Sequence, residues 1–274
     1  MKKFTFCLLL LNFISIQAQD FKGIAIYESK TNAEMTISGD NETPAEFSKE
    51  LEEQLKKALE KTFELHFDKT ASIYEEQQKL EEPSVGMGGI QINIHGGGKH
   101  YQNLKEKKSL LETEVFGKEF LVSDSLRKWE WKLGSETKKI GAYTCYKATA
   151  VYKVEEPFLL PEEEKEEKAV DILNQQPKER TVTAWYAPDI PVGHGPGDYW
   201  GLPGLILEVN NDKTTILCSK LILNPKEKIE IKAPKKGEKI TKAKFDEIVE
   251  KKTKEMMEMH DRPGEKSTVI RIGG

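Results

Sequence analysis

The chain has 274 residues, of which 37% are hydrophobic and 32% are charged. This length suits one large domain or two small ones with a substantial core, while the high charged fraction predicts at least one irregular stretch. The formal net charge is −4 and no basic patch dominates, which argues against nucleic acid as a partner. Beyond the first residues, no apolar run is long enough to span a membrane.

The N-terminus has the pattern of a secretory signal peptide. Lys2 and Lys3 precede an apolar run over residues 4–16, and Ala18 supplies the small residue at a cleavage point. We therefore expect a signal peptide over residues 1–18 and a mature chain that works outside the cytoplasm. A retained membrane anchor is the alternative interpretation.

The predicted secretion changes how the cysteines are interpreted. Cys7 would be removed with the signal peptide, which leaves Cys145 and Cys218 in an oxidising compartment. Both lie in segments predicted as strands, so we expect a disulfide between them. The alternative is a pair of small buried hydrophobic side chains, because free cysteine packs well in a core.

Many short strands and two helices are expected in the mature chain. One helix begins at Pro44, with Thr43 as its N-cap, and a second follows Thr241. Irregular loops are expected near residues 77–99 and 155–179. The predicted strands cover residues 21–27, 63–68, 71–75, 90–94, 109–116, 119–123, 127–133, 143–154, 180–186, 204–210, 214–223 and 268–272, with a hairpin turn at 117–118. The pattern predicts one α+β domain over residues 19–274, with an antiparallel sheet packed with two or more helices.

The segment over residues 185–206 is unusually rich in proline and glycine. It predicts a strand that ends at Tyr186, a rigid loop and a new strand from Gly204, because proline fixes φ and glycine permits unusual φ values. The alternatives are a tight crossover that packs the sheet edge and a loop that presents side chains to a ligand. The candidate residues of a binding loop are Trp185, Tyr186, Tyr199 and Trp200. Trp129 and Trp131 are further candidates to line or border a binding groove, and these tryptophans and Tyr199 are equally explained as core.

Six consecutive residues carry a family resemblance: Gly201, Leu202, Pro203, Gly204, Leu205 and Ile206. They reproduce the motif after which the GLPGLI family is named. The Trp185-Tyr186 pair, the Asp189-Ile190-Pro191 step and the stretch from Cys145 to Ala148 also resemble that family. The resemblance extends over nearly the whole mature chain.

The resemblance implies a protein secreted by a Gram-negative bacterium. No enzymatic activity or catalytic set is established for the family, whose members are often encoded near outer-membrane TonB-dependent receptors. The family pattern is similar to the half-barrel of periplasmic lipoprotein carriers, which implies a curved sheet. No functional residue can be transferred from the family to this chain.

The motifs of common enzymes are missing from the sequence. Asn93 and His100 replace the residues that a phosphate-binding loop requires around Gly96, Gly97, Gly98 and Lys99. There is neither a His-Glu-x-x-His motif nor a Gly-x-Ser-x-Gly nucleophile elbow. We therefore expect no enzymatic activity, no catalytic residue and no cofactor. A hydrolase whose site carries no recognised motif, with activity on esters or peptides, is a further alternative.

A copper or zinc site is the alternative function. Imidazole and thioether groups suit these metals, and the candidate ligands are His95, His100, Met257 and His260. Met256 and Met259 share the apolar face of the last predicted helix and are better explained as core.

The sequence as a whole predicts a non-enzymatic binding or accessory protein of the cell envelope. Its expected location is the periplasm or the periphery of the outer membrane. The expected partner is an outer-membrane receptor protein or an amphiphilic lipid or peptide ligand. The sequence leaves the oligomeric state open.

Overall fold

A computed structural model gives the fold of the chain. The structure describes residues 21–31, 57, 59–77, 85–87, 90–92, 98–153, 179–212 and 214–260. The predicted signal peptide, the loop over residues 155–178 and the predicted strand at 268–272 lie outside these ranges. Of the helix predicted from Pro44, only Lys57 and Leu59 are described, and both are helical.

Strands dominate the described part of the chain. The first seven are β1 (Gly23–Thr31), β2 (Lys61–Phe67), β3 (Ala71–Glu76), β4 (Val85–Met87), β5 (Ile90–Ile92), β6 (Lys99–Asn103) and β7 (Lys108–Val115). The next seven are β8 (Lys118–Ser125), β9 (Lys132–Ile140), β10 (Tyr143–Lys153), β11 (Glu179–Ala187), β12 (Leu205–Asn210), β13 (Thr214–Leu223) and β14 (Glu238–Thr241). A helix, α1, spans Lys242–His260.

Twelve of these strands form one sheet in the order β14-β8-β7-β6-β3-β2-β1-β13-β12-β11-β10-β9. Its neighbouring strands are antiparallel except for the parallel pair of β14 and β8. Strands β4 and β5 form a separate hairpin. The first strand therefore lies in the middle of the sheet, between β2 and β13.

The connection between β8 and β9 requires the sheet to curve strongly. These strands are ten positions apart in the sheet, a separation of about 48 Å if the sheet were flat. Only residues 126–131 connect them, and the seven steps from Ser125 to Lys132 reach at most about 25 Å. We call residues 126–131 the crossing segment, because it runs from one end of the sheet to the other.

Within the described ranges, the core consists of three clusters of buried apolar side chains. The largest includes Tyr27, Leu65 and Phe67 from β1 and β2, together with Leu205 and Leu207 from β12. The second contains Ala148, Ala150, Val182, Ala184, Tyr186, Leu202, Ile206 and Val209. The third is smaller and lies on β3, β6, β7 and β8, where Ile231 packs against it. Packing is thus most extensive around β10, β11 and β12, and around β1 and β2, whose side chains share the first cluster with them.

The α+β class predicted from the sequence is wrong. The described chain is a large curved open β-sheet with one helix, and only 9% of the structure is helical. Among the described residues, helix α1 packs mainly against β8 and β14 at one end of the sheet. Near the second core cluster, side chains of the crossing segment and of the loop before β12 supply the packing that the prediction assigned to helices.

Three local predictions can be compared with the structure. The strand expected over residues 127–133 is wrong, because β9 begins only at Lys132. The turn between β7 and β8 is formed by Phe116 and Gly117, one residue earlier than predicted. The cap of α1 is confirmed, since the Thr241 hydroxyl accepts a hydrogen bond from the Lys244 backbone N–H over 3.4 Å.

Candidate functional site

The family motif spans the end of a loop over residues 188–204, which we call the motif loop, and the first two residues of β12. Gly201 has φ of +93°, a value that side chains strongly disfavour. At Gly204 an added Cβ would lie 2.3 Å from the Ala187 carbonyl oxygen, so the backbone approach itself requires glycine. Leu202, Leu205 and Ile206 are buried. Five of the six motif residues therefore have a structural explanation in the fold.

Backbone hydrogen bonds hold the motif loop in one shape. Gly201 N–H donates to the Gly193 carbonyl over 2.8 Å, which closes the loop on itself. Ile206 N–H donates to the His194 carbonyl over 3.0 Å, which joins the loop to the start of β12. The rigid loop expected from the prolines and glycines is thus present as an ordered structure.

His194 lies inside the protein beneath this loop. Its side chain is fully buried and contacts the Phe67 ring, with centroids 6.2 Å apart. Burial lowers the pKa of His194 to about 4, while the backbone and carboxylate of Asp68 oppose the shift. Neither ring nitrogen has a side-chain or backbone partner of standard hydrogen-bond geometry among the described residues. The imidazole is therefore neutral at physiological pH and serves as a packed core group.

Three indole N–H groups fasten the motif loop to the crossing segment. Trp129 donates to the Asp198 carbonyl and Trp131 to the Trp200 carbonyl, each over 2.8 Å. Trp200 donates in return to the Arg127 carbonyl over 2.7 Å. Because the crossing segment and the motif loop each donate and accept hydrogen bonds, each fixes the position of the other.

An aromatic cluster with one arginine lies where these segments meet. Trp129 stacks on Trp131 with centroids 5.3 Å apart and lies 5.0 Å from the Tyr199 ring. The Arg127 guanidinium lies 4.5 Å from the Trp129 ring centroid and 5.2 Å from that of Tyr152. The four aromatic side chains are half-buried, and Arg127 is exposed. We call these five residues the aromatic–arginine cluster.

A polar group of side chains lies next to this cluster. The His100 Nε2 atom and the Ser109 hydroxyl are 2.7 Å apart, and the His100 Nδ1 atom lies 3.5 Å from an Asp198 carboxylate oxygen. Burial lowers the pKa of His100, and the Asp198 charge opposes that shift. Gln102, on the same strand as His100, donates to the Gly197 carbonyl over 3.0 Å. These contacts join β6 and β7 to the tip of the motif loop.

The four candidate binding residues do not form one site. Tyr186 is 5% exposed and belongs to the second core cluster. Trp185 packs against the first core cluster, and the Lys138 ammonium lies 4.4 Å from its ring centroid. Tyr199 and Trp200 lie at the crossing segment, as described above. The role of these four residues in binding stays a prediction.

Cys145 and Cys218 carry free thiols in this structure. Both pack in the first core cluster, and burial raises the pKa of each thiol to about 11, so both are protonated at neutral pH. The predicted disulfide between them stays a prediction.

The candidate metal ligands are not gathered into a site that the structure describes. His95 and the side chains of Met256, Met257, Met259 and His260 lie outside the description. His100 is engaged with Ser109 and Asp198. Within the described ranges, no group of three His, Cys, Asp or Glu side chains could hold a metal ion.

Comparison with known proteins gives a family match and a shared fold. Residues 131–208 match the model of a family described as "Protein of unknown function (Porph_ging)". The matched part runs from Trp131 to Glu208 and contains the motif loop. A comparison with curated proteins finds no match.

The solved structures similar to this chain include two crystal forms of PNGF-II. The C2 form has a TM-score of 0.50 and 13% identity, and the match covers 84% of this chain and 32% of that one. The P21 form has a TM-score of 0.49 and the same identity. This chain thus spans about a third of the PNGF-II chain, and the likeness concerns the fold alone. Lipoprotein LppX of Mycobacterium tuberculosis matches with a TM-score of 0.25 and 10% identity, over 76% of this chain and 89% of LppX.

Sequence reasoning missed several residues that the structure brings together. The sequence suggests His100 as a metal ligand, and no sequence pattern marks Ser109, Asp198 or Arg127. Ser109 and Asp198 are far apart in the chain and meet only because the motif loop reaches β6 and β7. Trp129 and Trp131 are candidate lining residues from the sequence, and the structure places both at the aromatic–arginine cluster, although in the crossing segment and not in the predicted strand.

The described residues contain no helix that is both long enough and apolar enough to cross a membrane.

Proposed function

We propose that this chain is a secreted binding or accessory protein of the bacterial cell envelope and a member of the GLPGLI family. The family proposal is supported by the structural roles of Gly201 and Gly204 and by the family match over residues 131–208. Secretion rests on the signal-peptide pattern of residues 1–18. The periplasm or the periphery of the outer membrane follows as the proposed location.

The aromatic–arginine cluster is the observation that carries the binding proposal. Partly exposed aromatic rings next to an exposed cation provide apolar surface and one charge in the same place. In the described structure, the Arg127 guanidinium contacts the rings of Trp129 and Tyr152, and its exposed charge can pair with an anionic group. An amphiphile with an anionic head group and an acyl chain fits this combination.

The fastening of the cluster supports the same proposal. Three indole–carbonyl hydrogen bonds fix the crossing segment and the motif loop before any ligand arrives. A preformed surface loses little conformational entropy on binding, which favours affinity. A receptor protein of the outer membrane is the proposed partner that would receive or deliver the ligand.

Tryptophan fluorescence can test the binding proposal directly, because three of the four tryptophans lie at or beside the cluster. The mature chain is titrated with palmitate and with a lysophosphatidylglycerol below its micelle concentration. We expect a saturable change in emission for the anionic amphiphiles and none for a neutral detergent of the same chain length.

Two matched variants locate the site. Arg127→Ala should weaken binding roughly tenfold, since a hydrogen bond to a charged group contributes about 1.5 kcal/mol or more. Lys128→Ala is the control, because that neighbouring side chain is 87% exposed and forms only a surface ion pair with Glu130. Equal effects of both variants, or no saturable change with either amphiphile, would contradict the proposal. An affinity pull-down from envelope extract in mild detergent tests the receptor partner separately.

A further inference from the structure

Ser109, His100 and Asp198 form a connected row on the inner side of the β6–β7 hairpin and the tip of the motif loop. The Ser109 Oγ atom lies 2.7 Å from His100 Nε2, and Asp198 Oδ1 lies 3.5 Å from His100 Nδ1. A hydroxyl, an imidazole and a carboxylate in this order can activate the hydroxyl as a nucleophile. Neither the binding surface nor the family resemblance accounts for this row.

The fold fixes all three members of the row. In the β6–β7 ladder, His100 pairs with Leu111 and Gln102 with Ser109, which places His100 and Ser109 on one sheet face. The backbone of Asp198 is held from the other side by the Trp129 indole N–H. The ladder therefore fixes His100 and Ser109 relative to each other, and the Trp129 contact fixes the backbone that carries the Asp198 carboxylate.

The protonation state of His100 suits a general base. Burial lowers the pKa of His100 below its usual value, so most of the imidazole is neutral at pH 7. With the proton on Nδ1 directed towards Asp198, Nε2 is free to accept the proton of the Ser109 hydroxyl. The negative charge of Asp198 stabilises the imidazolium that would form.

We propose that Ser109 is an activated nucleophile that transfers acyl groups from carboxylic esters to water, with His100 as the general base and Asp198 as a positioning residue. Ser109 Oγ bonds to the ester carbonyl carbon while its proton moves to His100 Nε2. The carbon–oxygen bond to the alcohol then breaks, and the imidazolium returns the proton to the leaving alkoxide. Water attacks the acyl-serine with His100 again as base, and the acid leaves as Ser109 regains its proton.

The surroundings indicate the class of substrate. The Asp198 side chain is 60% exposed and that of His100 is 14% exposed, so solvent reaches the row from the Asp198 side. The exposed carboxylate repels anionic substrates, and half-buried Leu111 supplies apolar surface beside His100. An uncharged ester with a short acyl chain fits these features. This activity goes beyond the proposed binding role and uses different residues.

Covalent labelling with a fluorescent alkyl fluorophosphonate tests the nucleophile. Attack by Ser109 forms an Oγ–P bond and releases fluoride, and peptide mass spectrometry then locates the label. We expect one label per chain on Ser109 and hydrolysis of p-nitrophenyl acetate and butyrate. Ser109→Ala should abolish both, while Ser135→Ala, a change at an exposed serine of β9, should leave both unchanged.

The pH profile distinguishes catalysis from a structural contact. The labelling rate should rise with pH as His100 loses its proton, with a midpoint below 6.5. Asp198→Asn should move that midpoint to lower pH, because the Asp198 charge raises the His100 pKa, and should slow labelling roughly tenfold, less than loss of a buried triad aspartate. His100→Gln should slow labelling by about 100-fold or more.

Folding of each variant is checked by circular dichroism and thermal unfolding. Asp198→Asn keeps the test decisive if the Ser109 or His100 variants unfold, since Asp198 is exposed. Absence of Ser109 labelling in the folded wild-type chain, or labelling insensitive to Asp198→Asn, would overturn the proposal. Amphiphile binding at the aromatic–arginine cluster is measured separately and would be unaffected by that failure.

Discussion

The region around the motif loop and the end of the sheet that carries α1 are built in different ways. At the motif loop, His194, Leu205 and Ile206 have no exposed surface. At the other end, α1 reaches the sheet through Phe245, whose ring lies 5.5 Å from that of Phe120. Ion pairs such as Lys242–Asp246 lie on its exposed surface and contribute little stability. A substitution in the first region should therefore cost far more than one in the second.

The largest difference in unfolding free energy is expected between alanine substitutions at two glycines. Gly204→Ala should destabilise the protein by about 3 kcal/mol or more, because the added Cβ meets the Ala187 carbonyl oxygen at 2.3 Å. Gly117→Ala, in the turn between β7 and β8, should cost only about 1 kcal/mol, since its positive φ is unfavourable but no atom lies within 4 Å. Urea unfolding measures both changes, and similar losses would remove the proposed contrast.

Acid should lower the free energy of unfolding through protonation of His194. Its folded-state pKa of about 4 lies below the unfolded value of 6.5, so the unfolded chain binds the proton more readily. The stability that neutral His194 contributes is fully present above pH 6.5. It is lost as pH falls towards 4, and the total loss is roughly 3 kcal/mol. The free energy of unfolding, measured between pH 7 and pH 4, should fall less steeply in His194→Gln. An NMR titration that gives His194 a pKa near 6.5 would refute this.

The tryptophan contacts should have an intermediate effect. Trp200→Phe removes the donor to the Arg127 carbonyl and should cost about 1 to 2 kcal/mol in unfolding free energy. Trp185→Phe is the matched control, because its indole N–H makes no hydrogen bond within the described structure. A smaller loss for Trp200→Phe than for Trp185→Phe would show that the indole contacts do not fasten the loop.

The smallest effect, and a stabilising one, is expected in the turn between β7 and β8. Phe116 and Gly117 have φ of 53° and 73°, the signs of a type I′ turn, in which asparagine suits the first position. Phe116 is 48% exposed, so little packing is lost when it is replaced. Phe116→Asn should stabilise the protein by about 0.5 kcal/mol or more in thermal unfolding. A lower melting temperature would indicate that Phe116 makes a contact that matters.

The sequence predicted local structure well where one segment determines it. The proline and glycine pattern of residues 185–206 predicted a rigid loop between two strands, and Thr241 predicted the start of α1. Both follow from backbone preferences of the residues themselves. The strand predicted over residues 127–133 is wrong. Trp129 and Trp131 lie on the same side of the segment because both contact the motif loop, and not because the segment pairs with a neighbouring strand.

The candidate sites could not be predicted because they are assembled by long-range contacts. The row of Ser109, His100 and Asp198 joins a hairpin to a loop that lies about 90 residues later in the chain, and no spacing rule connects them. The helix content was overestimated for a related reason. Periodicity finds an amphipathic segment but does not show that the second core cluster is packed by the crossing segment and the motif loop.

The central position of β1 has a consequence for how the chain reaches its native state. Gly23 pairs with Leu223 and Thr31 with Thr214. During synthesis, β1 therefore cannot pair with β13 until almost 200 further residues have been added. Hairpins such as β2–β3 can form as soon as their residues are available, but the sheet joins its two halves only afterwards. A nascent chain that stops before residue 214 would therefore leave one side of β1 exposed as a site for aggregation. Pulse-labelled hydrogen exchange should accordingly find β1 and β13 protected together, and late.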